Sequence, residues 1–318
     1  MPDAKDSSMK AALSHFTHTD DCSTEQLHGL LQLAQRVAAD PSAYYQKLSG
    51  QLLINLFYEA STRTRVSFEV AAKRLGMHVV NIGTAGSSIE KGETLHDTFF
   101  TLQAMQPDFV VVRHPVEGTA RDLVSLAEPG THIINAGDGT AAHPTQALLD
   151  ALTLQQHFGD LSGLTIVMAG DIRHSRVARS SLALLRRLGV KEIRLAAPAD
   201  FLPGEQTVAH DRVFTEFDQA LEGANVIMML RIQKERISGL NIPDAGDYHR
   251  DWGLTPQRLA LAAPECRVLH PGPINRGVEI ASAVADGPQS LIRLQVRNGL
   301  YTRMALLLAL SGGNHAAM

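Results

Sequence analysis

Short apolar runs recur along the chain at intervals that leave room for a helix between them. Residues 52–57, 78–82, 109–113 and 132–136 form one series, and 164–169, 192–197, 226–230 and 267–269 a second. Continuous rather than alternating hydrophobicity, rich in Val, Ile and Leu, predicts strands buried on both faces. Helical spacing fills the gaps. Ser23-Thr24-Glu25-Gln26 is a capping box opening a helix that runs toward Asp40-Pro41, with Leu27, Leu30, Leu31 and Ala34 as its buried stripe. Further helices are predicted over 66–75, from Thr94, from about His143, over 176–188 and over 290–310. Strands alternating with helices imply parallel pairing through right-handed crossovers. The pattern pauses at the glycines bounding 159–163 and then resumes, so two α/β halves are expected, joined near the helix at His143.

Composition narrows the classes. A chain of 318 residues suits two cores better than one. With 44% hydrophobic and 19% charged residues it reads as an ordinary globular protein, and a net charge of −4 offers no basic stripe for nucleic acid. No apolar run reaches a membrane span and no signal peptide is expected, while two distant cysteines fit a reducing cytoplasm. Residues 1–22 read as a loosely held polar extension. Its His15, His18, Asp20, Asp21 and Cys22 lack surroundings that would orient them on a metal.

The chemistry gathers at strand ends. Glu59-Ala60-Ser61-Thr62-Arg63-Thr64-Arg65 joins the first strand to the next helix and packs three hydroxyls and two guanidiniums into one turn. A helix N-terminus already favours an anion, and an arginine fork matches phosphate oxygens. For a single hydroxyl, capping the helix would be the plainer account. Four such groups together predict a phosphate or carboxyphosphate site. Ligands of open parallel sheets sit outside the carboxyl ends of the strands. Those ends collect Ser87 to Lys91, Arg113, His143 with Gln146, Arg176, Arg231 with Gln233, and His270-Pro271-Gly272-Pro273. Cations and amides dominate, with no metal set and no nucleophile–base pair, so no cofactor is expected. Two look-alikes fail: Lys91-Gly92 inverts a Walker ending, and the Gly137-x-Gly139-x-x-Ala142 fingerprint runs straight into Pro144.

Six of these motifs, in order, resemble the transcarbamoylases. Ser61-Thr62-Arg63-Thr64-Arg65, Arg113-His114-Pro115 and His143-Pro144-Thr145-Gln146 look like the family's carbamoyl-phosphate signature. Lys91-Gly92-Glu93-Thr94, Arg231-x-Gln233-Lys234-Glu235-Arg236 and His270-Pro271-Gly272-Pro273 are similar to its aspartate carbamoyltransferase branch. The resemblance implies two doubly wound parallel-sheet domains with the active site in the cleft between them. A carbamoyl-phosphate-binding domain would cover 1–145 and be completed by the C-terminal helix, about 298–318, and an aspartate-binding domain would cover 146–297. Phosphate would then meet Ser61, Thr62, Arg63 and Arg113. The carbonyl oxygen would meet Thr64, Arg113 and His143, and the carbamoyl amino group Gln146 and the carbonyl of Pro271, beside Gly272. L-Aspartate would be bound by Lys91, Arg176, Arg231 and Gln233, its carboxylates meeting the last three. Ser87 and Lys91 would come from an adjacent subunit, making a homotrimer that serves pyrimidine biosynthesis.

Rival readings are an ornithine or other amine carbamoyltransferase and a non-catalytic anion-binding paralogue. The ornithine branch would show a His-Cys-Leu-Pro segment, whereas Cys266 here lies upstream of His270. Gly272 replaces a leucine of some relatives, which leaves the Pro271 carbonyl in place. The Gly-, Pro- and Asp-rich segment 238–253 is expected to be a mobile closing loop. Whether trimers join a nucleotide-sensing regulatory chain or a dihydroorotase-like chain is left open.

Overall fold

The computed structural model describes residues 13–84, 88–204, 209–233 and 244–312. The chain divides into two compact units, Met1–Thr145 with Asn298–Met318, and Gln146–Arg297. The boundary falls inside two helices.

The first unit is built on a four-stranded parallel sheet. Its strands are β1 (Leu52–Phe57), β2 (His78–Gly83), β3 (Phe109–His114) and β4 (His132–Asp138), in the order β2-β1-β3-β4. Ile54, Leu56, Val110, Val112 and Ile133 enter one apolar cluster, while Leu53, Val111 and Ile134 are buried on the opposite face. Both faces of β1, β3 and β4 are therefore covered, as their unbroken apolar runs require. The edge strand β2 is instead exposed or half-exposed along its length, contrary to the expectation for 78–82. The helices are α1 (Thr24–Ala39), α2 (Thr62–Arg74), α3 (Leu95–Gln103), α4 (Thr119–Leu126), the start of α5 (Pro144–Phe158) and the end of α11 (Ile292–Leu310). The Ser23 capping box forms, with Gln26 N–H donating to Ser23 Oγ and Ser23 N–H to Gln26 Oε1.

The second unit holds five parallel strands: β5 (Thr165–Ala169), β6 (Glu192–Ala196), β7 (Arg212–Phe214), β8 (Val226–Met229) and β9 (Arg267–Leu269), in the order β7-β6-β5-β8-β9. Ile166 and Met168 face one apolar cluster and Val167 and Ala169 the other, so this sheet too is buried on both faces. Around it lie α6 (Arg176–Arg187), α7 (Phe217–Leu221), α8 (Ala245–Trp252), α9 (Pro256–Leu259) and α10 (Ser282–Ala285). Strand β7 escapes the sequence pattern because it is three residues long and leaves Arg212 and Val213 exposed.

Three further expectations need correction. Within the supposedly loose extension, residues 14–22 are docked: Phe16 is fully buried, its N–H donates to the carbonyl of Ile133 at 2.8 Å, and its carbonyl accepts Asn135 N–H at 2.9 Å. The segment pairs with the outer edge of β4, which satisfies its backbone and covers an unpaired strand. The segment 238–253 is not a loop throughout. Residues 234–243 lie outside the described set, but 245–252 are the helix α8, started by Asp244 accepting Gly246 N–H at 2.8 Å and anchored by buried Tyr248. Finally, α2 begins at Thr62 and not at Val66, so the hydroxyl-rich turn is itself the helix start.

Candidate active site

In each sheet the strand order reverses once, between β1 and β3 and between β5 and β8. Connections leave these two strands in opposite directions, which opens a crevice at their carboxyl ends. The predicted residues that are described fall at these two points or at the ends of the next strands, β4 and β9, apart from Lys91 beyond the edge strand β2.

In the first unit, Ser61 is the N-cap residue of α2 with extended backbone (φ −157°, ψ 95°), yet its side chain makes no capping hydrogen bond. The plain capping account therefore fails, and the hydroxyl remains available beside the first N–H groups of the helix. Unlike α1, α3 and α4, α2 carries no acid in its first turn. The positive end of the dipole is left for an external anion. Thr64 is buried, while Thr62 and Arg63 are exposed. Arg113 lies in register with Phe57 at the end of β3. Its Nε is 3.2 Å from Glu59 Oε2, and its Nη1 donates to the Ala136 carbonyl at 3.2 Å, so groups from both neighbouring strand ends steer the guanidinium. Beside it, burial lowers the His114 pKa, and the neutral ring accepts Val116 N–H through Nδ1 at 3.1 Å.

His143 reaches this region through a tight turn after β4. Asp138 and Ala142 exchange backbone hydrogen bonds, and Asp138 Oδ2 accepts Gly118 N–H at 3.1 Å. Gly139 has φ +48°, and a Cβ there would meet Glu117 Cγ at 2.5 Å, so the turn admits no side chain. The start of α5 is held by Arg303 of α11. That buried guanidinium lies 4.9 Å from the Phe68 ring centre, donates to the Gly299 carbonyl at 2.8 Å and contacts Thr145 Oγ1 at 3.4 Å.

In the second unit, Arg176 opens α6 and is 3% exposed, which rules out a surface salt bridge. Arg231 and Gln233 follow β8 and are partly buried. One carboxylate ties these two ends together. Asp171 Oδ2 accepts Gln233 N–H at 3.1 Å, while Oδ1 accepts the backbone N–H and ring Nδ1–H of His174 at 3.2 and 2.8 Å. Gly170 allows the approach: with φ +120°, a Cβ there would lie 2.1 Å from the Leu230 carbonyl oxygen. Pro271 and Gly272 follow β9, the next strand along, and are partly buried. Gln146, in the first turn of α5, is buried.

Lys91 is exposed at the end of a short 3-10 turn (Ser88–Lys91) beyond the edge strand β2, and Ser87 lies outside the described residues. The residues missed by sequence reasoning are carboxylates: Asp138 is the last residue of β4, Glu59 and Asp171 come two residues after β1 and β5, and Asp150 lies inside α5. Their position at or just past a strand end was the available signal for the first three.

A family model described as the carbamoyl-P binding domain of aspartate/ornithine carbamoyltransferase matches residues 14–156, and one for the Asp/Orn binding domain matches 162–310. An aspartate carbamoyltransferase catalytic subunit from Gluconobacter oxydans is 50% identical over 301 residues, covering 93% of this chain and 95% of the relative. One from Beijerinckia indica is 50% identical over 301 residues, covering 93% and 94%. Among solved structures, aspartate transcarbamoylase from Trypanosoma cruzi in complex with N-(phosphonacetyl)-L-aspartic acid aligns with a TM-score of 0.82 at 32% identity, covering 93% of this chain and 95% of that one. An ornithine carbamoyltransferase from Pyrococcus furiosus aligns with a TM-score of 0.84 at 25% identity, covering 96% and 99%. Backbone similarity alone therefore does not separate the two amine substrates.

Proposed function

The chain belongs to the aspartate/ornithine carbamoyltransferase family, and from that premise we infer that it transfers the carbamoyl group of carbamoyl phosphate to the α-amine of L-aspartate, giving N-carbamoyl-L-aspartate and phosphate. The observation that carries aspartate over ornithine is the pair Arg176 and Arg231 at the ends of neighbouring strands. Two fixed cations suit a substrate with two carboxylates and repel a side chain ending in an ammonium group.

The first unit takes carbamoyl phosphate. Its phosphate meets the α2 N-terminus with Ser61, Thr62, Arg63 and Arg113, and its carbonyl oxygen meets Thr64, Arg113 and His143. The second unit takes aspartate on Arg176, Arg231 and Gln233, while Gln146 Oε1 and the Pro271 carbonyl accept from the carbamoyl NH2. The deprotonated α-amine attacks the carbonyl carbon, and negative charge grows on its oxygen. Donors already fixed there stabilise the transition state more than the substrate, each by about 3 kcal/mol. The C–O bond to phosphate then breaks, and the departing phosphate takes the proton lost by nitrogen. No side-chain base is needed. Holding two mutually repelling anions in reacting order supplies much of the remaining acceleration.

The same reading includes a homotrimer in which Ser87 and Lys91 complete a neighbour's site. Support comes from the first unit's surface, where Val66 and Val70 on α2 and Val80 on the edge strand β2 are exposed. We place the enzyme in the cytoplasm and in pyrimidine biosynthesis. No helix among the described residues is long and apolar enough to cross a membrane. Further assembly with a regulatory or dihydroorotase-like chain is read from the native mass with and without co-purified proteins.

A colorimetric assay for carbamoyl-aspartate, with ornithine as control amine, tests the reaction. Product with ornithine but not aspartate would move the chain to the other branch, and product with neither would leave a non-catalytic anion binder. For the shared site, Lys91→Ala and Arg63→Ala chains are each expected to be nearly inactive, and to regain turnover when mixed and reassociated. Mixed trimers without recovery would rule out sharing.

A further inference from the structure

Within the second unit a buried polar chain joins two of the groups assigned to the carbamoyl amino group. Gln146 Nε2 donates to Asp150 Oδ1 at 2.9 Å, one turn further along α5. The same oxygen accepts Gln295 Nε2 from α11 at 2.7 Å, and Oδ2 accepts the Ser181 hydroxyl from α6 at 3.1 Å. The other end of Gln295, Oε1, accepts the backbone N–H of His270 at 2.9 Å. His270 is held in turn, its Nδ1 accepting Gly272 N–H at 2.8 Å and its Nε2 lying 3.1 Å from Glu279 Oε1. Asp150, Ser181 and Glu279 are completely buried.

A carboxylate only accepts hydrogen bonds, so it decides which end of each amide faces it. Gln146 must turn its NH2 inward, which leaves Oε1 as its outward end, and that oxygen makes no hydrogen bond with any described residue. Gln295 must do the same, which leaves its Oε1 to pin His270, the residue before Pro271. One buried carboxylate thus sets both acceptors. We propose that Asp150 is a positioning residue that makes this site selective for an acyl phosphate bearing an amino group, by fixing Gln146 Oε1 and, through Gln295, the Pro271 carbonyl as a pair of hydrogen-bond acceptors.

The proposal rests on the carbamoyl phosphate reading above and adds its specificity. Acetyl phosphate has the same shape, but its methyl group gives these acceptors nothing, and leaving buried acceptors unpaired is unfavourable. Without an acceptor at position 150, the Gln146 amide is free to flip and present NH2 to NH2.

The test compares wild type with Asp150→Leu, which removes the shared acceptor oxygen at nearly constant volume, and Gln295→Met. Binding of carbamoyl phosphate and of acetyl phosphate is read by calorimetry, and KM and kcat by turnover with aspartate. Wild type is expected to prefer carbamoyl phosphate. Asp150→Leu is expected to weaken carbamoyl phosphate about tenfold, the effect of roughly one mismatched hydrogen bond, while acetyl phosphate changes by less than about twofold. Gln295→Met, which cuts only the Pro271 arm, is expected to shift the ratio less, in the same direction. It decides the matter alone if Asp150→Leu does not fold. Equal weakening of both phosphates in folded variants would make Asp150 merely structural and overturn the proposal, as would a wild type that binds both equally. Selective binding without turnover of aspartate would instead sink the functional reading and leave this inference standing.

Discussion

Replacing Asp171 is the most informative single perturbation of the aspartate half-site. Its fully buried carboxylate accepts two backbone N–H groups, of Gln233 and His174, and the His174 ring. Asp171→Ala orphans both backbone donors, at about 1–3 kcal/mol each when buried. The His174 side chain is 19% exposed and can turn toward water, so it adds little. A loss of about 3 kcal/mol follows, and at about 2–4 °C per kcal/mol for a domain of this size, Tm should fall by roughly 6–12 °C. Asp171→Asn keeps one acceptor oxygen and can serve one strand end only, so about half that loss is expected. Kinetics carry the sharper test. The carboxylate links the turn before Arg176 to the segment carrying Arg231 and Gln233, so KM for aspartate should rise about tenfold or more. KM for carbamoyl phosphate should stay within about twofold, because the residues proposed to hold its phosphate belong to the other unit. If both KM values rose together, or if Tm fell with KM for aspartate unchanged, Asp171 would be a stability residue and the argument from strand-end coupling would fail.

Three further outcomes are expected. His15 accepts Ile133 N–H through Nδ1, and burial, reinforced by nearby His132, lowers its pKa below 6.5 despite the opposing charge of Asp21. A lowered folded pKa means the neutral ring is favoured, so its contribution is intact above about pH 6.5 and is lost as pH falls through the lower folded value. His15→Asn keeps an acceptor at the same reach and should flatten part of the acid slope of Tm, leaving the part due to His114 and His157, whose pKa values are lowered in the same direction. Cys266 is buried, and burial pushes its thiol up to about 12, so native protein should show no iodoacetamide adduct there by mass spectrometry while denatured protein does. Arg303→Met keeps volume but removes the donors to Gly299 and Thr145. It should lower stability by about 1–3 kcal/mol in denaturant melts and reduce kcat through the His143 end of α5.

How far the sequence carried depended on the distance between partners. Most strands were legible because burial on both faces writes itself into a continuous apolar run, and α1 because Ser23 and Gln26 lie three residues apart. Phe16 was not legible. It is a single aromatic residue among polar neighbours, and the strand it pairs with lies more than a hundred residues away, so no local period marks it. Helix α8 was hidden for another reason: its Gly and Asp content reads as a turn until Asp244 is seen as a cap and Tyr248 as an anchor.

The candidate site shows the same limit in its charges. Reading strand ends for an anion site selects cations, hydroxyls and amides, and that search found Ser61 to Arg65, Arg113, His143, Arg176 and Arg231. It passed over the acids beside them because an acid repels the substrates in question. Yet a guanidinium half-buried beside a sheet needs an acceptor to set its direction, and an acid that Arg113 meets is Glu59, two residues before Ser61 in the same turn. The same logic applies to Asp171, where a carboxylate spends its lone pairs on backbone and ring N–H groups and so organises cations it never touches. It reaches its extreme in Asp150, whose partners include a residue 145 positions away and whose place inside an apolar helix gives no outward sign. An anion site read from sequence is therefore incomplete until every cation has been assigned the acid or carbonyl that aims it. For Arg113 and for the Arg231 segment the acid, Glu59 or Asp171, lies within a few residues of a strand end already chosen, whereas Asp150 is found only through its partners.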